Sequence, residues 1–186
     1  MSRRRLQVAA AVVVVFGLAA TSIALASGRD HGSGKHGKAR AKLSGFNEVP
    51  PILSNGKASV RITINGNNTM TYRLTISGSF SSNVTQSHLH FGQPGVNGGI
   101  FLFLCTNLGN GPAGTPACPQ GGTVTRTVSA ADLLSVAAQN VPAASFDSAV
   151  RILRSGDTYA NVHTVNFPAG EIRGQVTLGE DEHGHR

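Results

Sequence analysis

Between Ala58 and Ile76 the chain alternates apolar and polar residues in two runs. Ala58, Val60, Ile62 and Ile64 precede Asn65-Gly66-Asn67-Asn68, and Met70, Tyr72, Leu74 and Ile76 follow it. Period-two alternation sends every second side chain to the same face, so each run predicts a strand with one buried face. The Asn/Gly break between them predicts a hairpin. Gly99–Cys105 (GIFLFLC) is a short continuous apolar run, the pattern of a strand covered on both faces. Thr123–Val128, Thr158–Thr164 and Glu171–Leu178 read as three more strands, and Phe46–Pro51 (FNEVPP) as a strand ending in a Pro-Pro turn. Two helices are expected. Ser129 with Asp132 resembles a cap leading into AADLLSVAAQ, and Ser145-Phe146-Asp147-Ser148 opens a second helix stopped at Gly156. The fold class that follows is all-β: an antiparallel, Greek-key-like β-sandwich with one or two short helices inserted before the last two strands.

The ends do not share this patterning. Residues 1–26 have a basic start (Arg3, Arg4, Arg5), an apolar run from Val8 to Leu25 and an Ala24-Leu25-Ala26 cleavage pattern, which is the layout of an export signal. Left uncleaved, the apolar run would serve as an N-terminal anchor; after cleavage no other segment is apolar for long enough to cross a membrane. Residues 27–41 read as a flexible basic linker, 42–178 as the domain, and 179–186 as a disordered polar tail. His31, His36, His183 and His185 fall in these ends, where a His-rich tail scavenges metal weakly.

The formal charge of +7 belongs largely to the ends: without Arg3, Arg4 and Arg5 it is +4. With no Trp and only 2 Tyr, the chain lacks the stacking platforms of a nucleic-acid binder, and that class is set aside. Cys105 and Cys118 are the only 2 cysteines, and they flank a run of turn residues. In an oxidising compartment this predicts a structural disulfide, worth about 3 kcal/mol in the chain-entropy model. Export and disulfide together point to a secreted or cell-envelope protein.

Strand parity picks out a second set of residues. In Ser87–Phe91, Leu89 and Phe91 share one face and His88 and His90 the other. In Thr158–Thr164, Tyr159, Asn161 and His163 oppose Ala160, Val162 and Thr164, and in Glu171–Leu178, Glu171, Arg173 and Gln175 oppose Ile172, Val176 and Leu178. If these strands are neighbours, His88, His90, His163 and Glu171 converge, with Asn161, Arg173 and Gln175 as the supporting polar face. Three imidazoles with a carboxylate as fourth ligand or orienting acceptor suit copper or zinc. The competing arrangement is a purely structural network. There His88 and His90 donate to carbonyls around Gly92–Gly99, and His163, Asn161, Glu171 and Arg173 tie strands together. Gly95, Gly98 and Gly99 of the PGVNGG turn are expected to supply positive φ.

Three blocks, LSGFNEVPP, HLHFG with its PG and NGG turn, and YANVHTVNFPAGEIRGQV, occur in order and closely resemble the CHRD domain, named for its repeats in chordin. The resemblance covers nearly all of residues 42–178 and implies an extracytoplasmic β-sandwich domain. It does not imply growth-factor antagonism, because neither the repeats nor the cysteine-rich modules of chordin are present. The expected role is a non-enzymatic binding or structural module for an extracytoplasmic ligand or protein, with copper or zinc on its histidines. The alternative is a copper/zinc-dependent oxidoreductase. In outline the chain is similar to copper/zinc superoxide dismutases, which also set a His-x-His pair and a distant histidine on a β-sandwich, but a bridging histidine and an Asp-containing zinc loop are not evident.

Overall fold

The computed structural model describes residues 37–179. The export signal, residues 27–36 of the linker, the tail from residue 180 and the four terminal histidines lie outside the described residues. In chain order the elements are β1 (Gly37–Leu43), β2 (Asn55–Asn65), β3 (Thr69–Ser79), β4 (Val84–Phe91), β5 (Gly99–Thr106), β6 (Gly122–Val128), α1 (Phe146–Ser155), β7 (Thr158–Thr164), β8 (Ile172–Gln175) and β9 (Thr177–Leu178). They form two antiparallel sheets, ordered β6-β3-β2-β1-β9 and β5-β4-β7-β8. The architecture is the expected all-β sandwich.

The alternating runs become β2 and β3. Their apolar residues are all buried, and Ile62 faces Tyr72 while Ile64 faces Met70 across the hairpin. From the other sheet come Leu89, Phe101, Leu102, Leu104, Ala160 and Val162 to complete one core. The Tyr72 hydroxyl crosses it to donate to the Leu104 carbonyl at 2.6 Å, so the one polar atom of this side chain is satisfied in the apolar interior. Cys105 and Cys118 are disulfide-bonded at the end of β5. Among the described residues no helix is long and apolar enough to cross a membrane.

Several expectations need correction. Residues 37–41, placed in the linker, form most of β1, whose Ala39, Ala41 and Leu43 continue the alternation into the core. Only the second expected helix is α-helical: α1 is capped by Ser145 and ends at Gly156, with φ +82°. The AADLLSVAAQ segment makes two short 3-10 turns, Ala130–Asp132 and Ala137–Gln139. Its Ser129/Asp132 cap is present, but Leu134 N–H donates to the Phe101 carbonyl and Val136 bridges Val141, so pairing along β5 wins over helix propensity. Gly45–Asn47 is likewise a 3-10 turn and not a strand.

The last predicted strand is divided. Ile172–Gln175 pairs with β7 in one sheet, and Thr177–Leu178 pairs with β1 in the other, leaving Leu178 exposed instead of in the core. Ser44, just after β1, exchanges backbone hydrogen bonds with Arg173 in β8. At this crossing a Cβ on Gly174 would overlap the Lys42 carbonyl, so glycine is required by close approach.

Candidate metal centre

The four-stranded sheet has a second buried layer on the face turned away from the apolar core. Strands β4 and β7 are its central neighbours, with His88 opposite Asn161 and His90 opposite Tyr159. The parity argument therefore holds: Leu89, Ala160 and Val162 face the core, and His88, His90, Asn161 and His163 face outward. Yet these polar residues are buried, His88 completely. Register shifts at Ser87/His88 and Leu89/His90 against β5, and at Val84/Gln86 against β7, bend β4 where the histidines lie. Bulges of this kind re-aim side chains beside functional sites.

One ring nitrogen from each of His88, His90 and His163 lies within 4.8 Å of the others. His88 Nδ1 is 3.1 Å from His163 Nε2. His163 Nδ1 lies 2.9 Å from the Pro168 carbonyl, and His90 Nδ1 lies 2.9 Å from the Gly98 carbonyl. A carbonyl only accepts, so both Nδ1 atoms must carry the proton, and both Nε2 atoms present lone pairs. His90 Nε2 is 3.1 Å from Asn161 Oδ1, so with Nε2 unprotonated a hydrogen bond here requires the amide turned to present its NH2. Among the described residues, His88 Nε2 is buried and has no hydrogen-bond partner.

Burial sets the charge state. It lowers His88 to about 2, helped by the neighbouring His163 and His90 rings, and lowers His90 to about 4. His163 is lowered too, again chiefly by burial. All three imidazoles are neutral near pH 7, the form in which histidine ligates metal.

Aromatic contacts hold the rings. Phe103 meets His88 edge-on at 4.3 Å, and Tyr159 stacks on His90 at 4.5 Å with 7° between planes. The Arg173 guanidinium sits 3.3 Å from the centre of the Tyr159 ring on β7. It also donates to the carbonyls of Gln93 and Val96 and to Asn97 Oδ1, tying the 92–98 loop down beside His90.

A family model for the CHRD domain matches residues 39–176. The chain belongs to the CHRD family. No curated protein and no solved structure matches it.

The three blocks that carry the CHRD resemblance meet in this layer: the first supplies Glu48, the second His88 and His90, and the third Tyr159, Asn161, His163 and Arg173. Glu171, expected as a fourth ligand or an orienting acceptor, is bonded elsewhere. Its carboxylate accepts from the Ser54 and Thr164 hydroxyls and from both the hydroxyl and amide of Ser81. It therefore links the ends of β2 and β3 to β7, and it does not pair with Arg173. Gln175 donates to the Gly92 and Gly156 carbonyls and fixes the loop without touching the histidines.

Parity placed Tyr159 on the histidine face without giving it a role, and it did not reach Phe103, because a continuous apolar run carries no alternation to read. Glu48, from the Phe46–Pro51 segment, also reaches this layer. It is buried, and its Oε1 has no partner. Burial raises its pKa against the opposing pull of the Val49 amide and Arg173. A Cβ on Gly170 would collide with this oxygen and would also contact the Asn161 amide nitrogen, so the glycine lets Glu48 pack behind Asn161. In the PGVNGG turn only Gly95 has positive φ; at Gly98 and Gly99 a side chain would strike the Phe91 carbonyl and Val136.

Proposed function

We propose that this CHRD domain is an exported, non-enzymatic module that holds a copper or zinc ion on His88, His90 and His163. The observation that carries the reading is the orphaned Nε2 of His88, a fully buried lone pair with no hydrogen-bond partner among the described residues. Leaving such an atom unpaired costs about 1–3 kcal/mol, whereas a cation shared with two pre-oriented imidazoles would satisfy it. The carbonyls of Pro168 and Gly98 supply what metal-binding histidines ordinarily need, an acceptor on the far nitrogen that fixes tautomer and ring orientation. The donor set is all nitrogen, which suits copper and zinc over calcium or magnesium. A bound ion would cross-link β4 to β7 and add its binding energy to folding.

The near-complete burial of the three rings favours a structural or storage role over turnover at the metal. Glu171, committed to four donors, adds no anionic ligand. The disulfide and the signal-like first 26 residues support export.

The test is metal content by mass spectrometry on protein purified without chelators. It is run beside His88→Ala/His90→Ala/His163→Ala and a variant in which His31, His36, His183 and His185 are all Ala. Near-stoichiometric copper or zinc that survives loss of the terminal histidines and disappears in the triple variant is expected. Metal that follows the terminal histidines, or none after reconstitution, would refute the site. Superoxide or peroxide turnover by the loaded protein would instead favour the oxidoreductase.

A further inference from the structure

The outer face of the five-stranded sheet has an unusual charge pattern. Arg40 on β1 is directly opposite Arg61 on β2, which is directly opposite Arg73 on β3. The row continues into Thr125 on β6 and Thr177 on β9. Lys38, Lys42 and Lys57 lie on the same face, and the remaining positions are largely Thr and Ser, including Thr63, Thr71, Thr75 and Thr123. No Asp or Glu occurs in any strand of this sheet. Among the described residues the one salt bridge joins Arg126 to Asp132, and Arg126 is paired with Tyr72 on the opposite, inner side. Among the described residues, the side chains of Arg40, Arg61 and Arg73 have no hydrogen-bond or ion-pair partner.

Like charges directly opposite across strands destabilise a sheet. Lysines on edge strands are explained by protection against edge-to-edge pairing, but β2 and β3 are interior strands, so that explanation does not reach Arg61 or Arg73. Solubility would be served equally by alternating signs. We propose that this face binds a linear acidic polysaccharide, its carboxylates or sulfates lying across the strands along the Arg40–Arg61–Arg73 row.

The chemistry fits at three points. Neighbouring strands are about 4.8 Å apart, so the row presents three guanidinium forks over about 10 Å in a line perpendicular to the strands. Guanidinium pairs bidentately with carboxylate and sulfate-like oxyanions, which Lys does not. The flanking threonine and serine hydroxyls both donate and accept, as sugar hydroxyls require. Nucleic acid is disfavoured because the face has no aromatic ring on which a base could stack, and a flat sheet does not enter a groove. A membrane is disfavoured because Leu178, at the rim, is the one large apolar side chain exposed there. This surface belongs to the sheet that does not carry the histidines, and its test is independent of metal.

Protein recovered from a host exporting the full chain would be titrated with polygalacturonate, dextran sulfate, neutral dextran, oligothymidylate and phosphatidylserine vesicles. Binding to both acidic polysaccharides and not to neutral dextran is expected, weakening steeply with salt. The Arg40→Ala/Arg61→Ala/Arg73→Ala variant should bind about ten-fold more weakly. Arg61→Glu separates recognition from folding. It places opposite charges in register with Arg40 and Arg73, so its melting temperature should rise while polysaccharide binding is lost. Unchanged binding by either variant would overturn the proposal. So would tighter binding to oligothymidylate or vesicles than to either polysaccharide.

Discussion

Glu171 shows how little of a buried residue's role is visible from its type. Burial alone would raise its pKa, but hydrogen bonds from Ser54, Ser81 and Thr164 outweigh this and hold the carboxyl below its ordinary 4.5. Because its folded pKa is depressed, the stabilisation is present above about 4.5 and is lost as pH falls through the lowered value. Glu171→Gln replaces an acceptor of charge-assisted bonds by an amide whose NH2 faces donors. A loss of about 3 kcal/mol at neutral pH is expected in urea unfolding, with a flatter acid limb. The histidines give a second limb at higher pH. In metal-free protein, the unfolded chain takes up protons that the buried rings refuse. Stability should therefore be intact above the ordinary histidine value of 6.5 and fall below it, down to about 4 for His90 and about 2 for His88. Melting temperatures of the apo protein across this range check the sign, and each ring contributes about 1.4 kcal/mol per pH unit.

At the scale of elements, local pattern and tertiary pairing carry different information. The β2–β3 hairpin, the doubly covered β5 and α1 were legible because period, turn residues and caps lie within a few positions of one another. His88, His90 and His163 were legible as a face for the same reason, and the adjacency of β4 and β7 then brings them together. Glu171 leaves the histidine face because parity assumes an unbroken strand, whereas β8 starts only at Ile172; tying strands together is the role the purely structural network gave it. The division of 172–178 between sheets, and the burial of the outward face of β4 and β7 under loops, depend on contacts far apart in sequence. Gly174 tests the crossing directly. Gly174→Ala should cost about 1–3 kcal/mol from the enforced clash with the Lys42 carbonyl. Hydrogen exchange should show the Ser44 and Arg173 amides losing protection before the β2–β3 hairpin does.

For the whole molecule, two sheets share one core but present opposite chemistries on their outer faces: neutral nitrogen donors under loops on one, unpaired guanidinium groups on the other. If the histidines hold metal, loading should raise the melting temperature in proportion to the logarithm of free metal, with about 2.7 kcal/mol gained at a hundred-fold excess over Kd. A thermal-shift series with copper and with zinc measures it, and a flat response would remove the metal from the folding equilibrium. The split of the last strand also fixes an order of events. Residues 172–178 complete both sheets, pairing with β7 on one side and with β1 on the other. A chain synthesised from its N-terminus therefore carries β1 for more than a hundred residues with one edge open. Residues 172–178 supply the last strand of each sheet, so neither sheet is complete until that segment has been made.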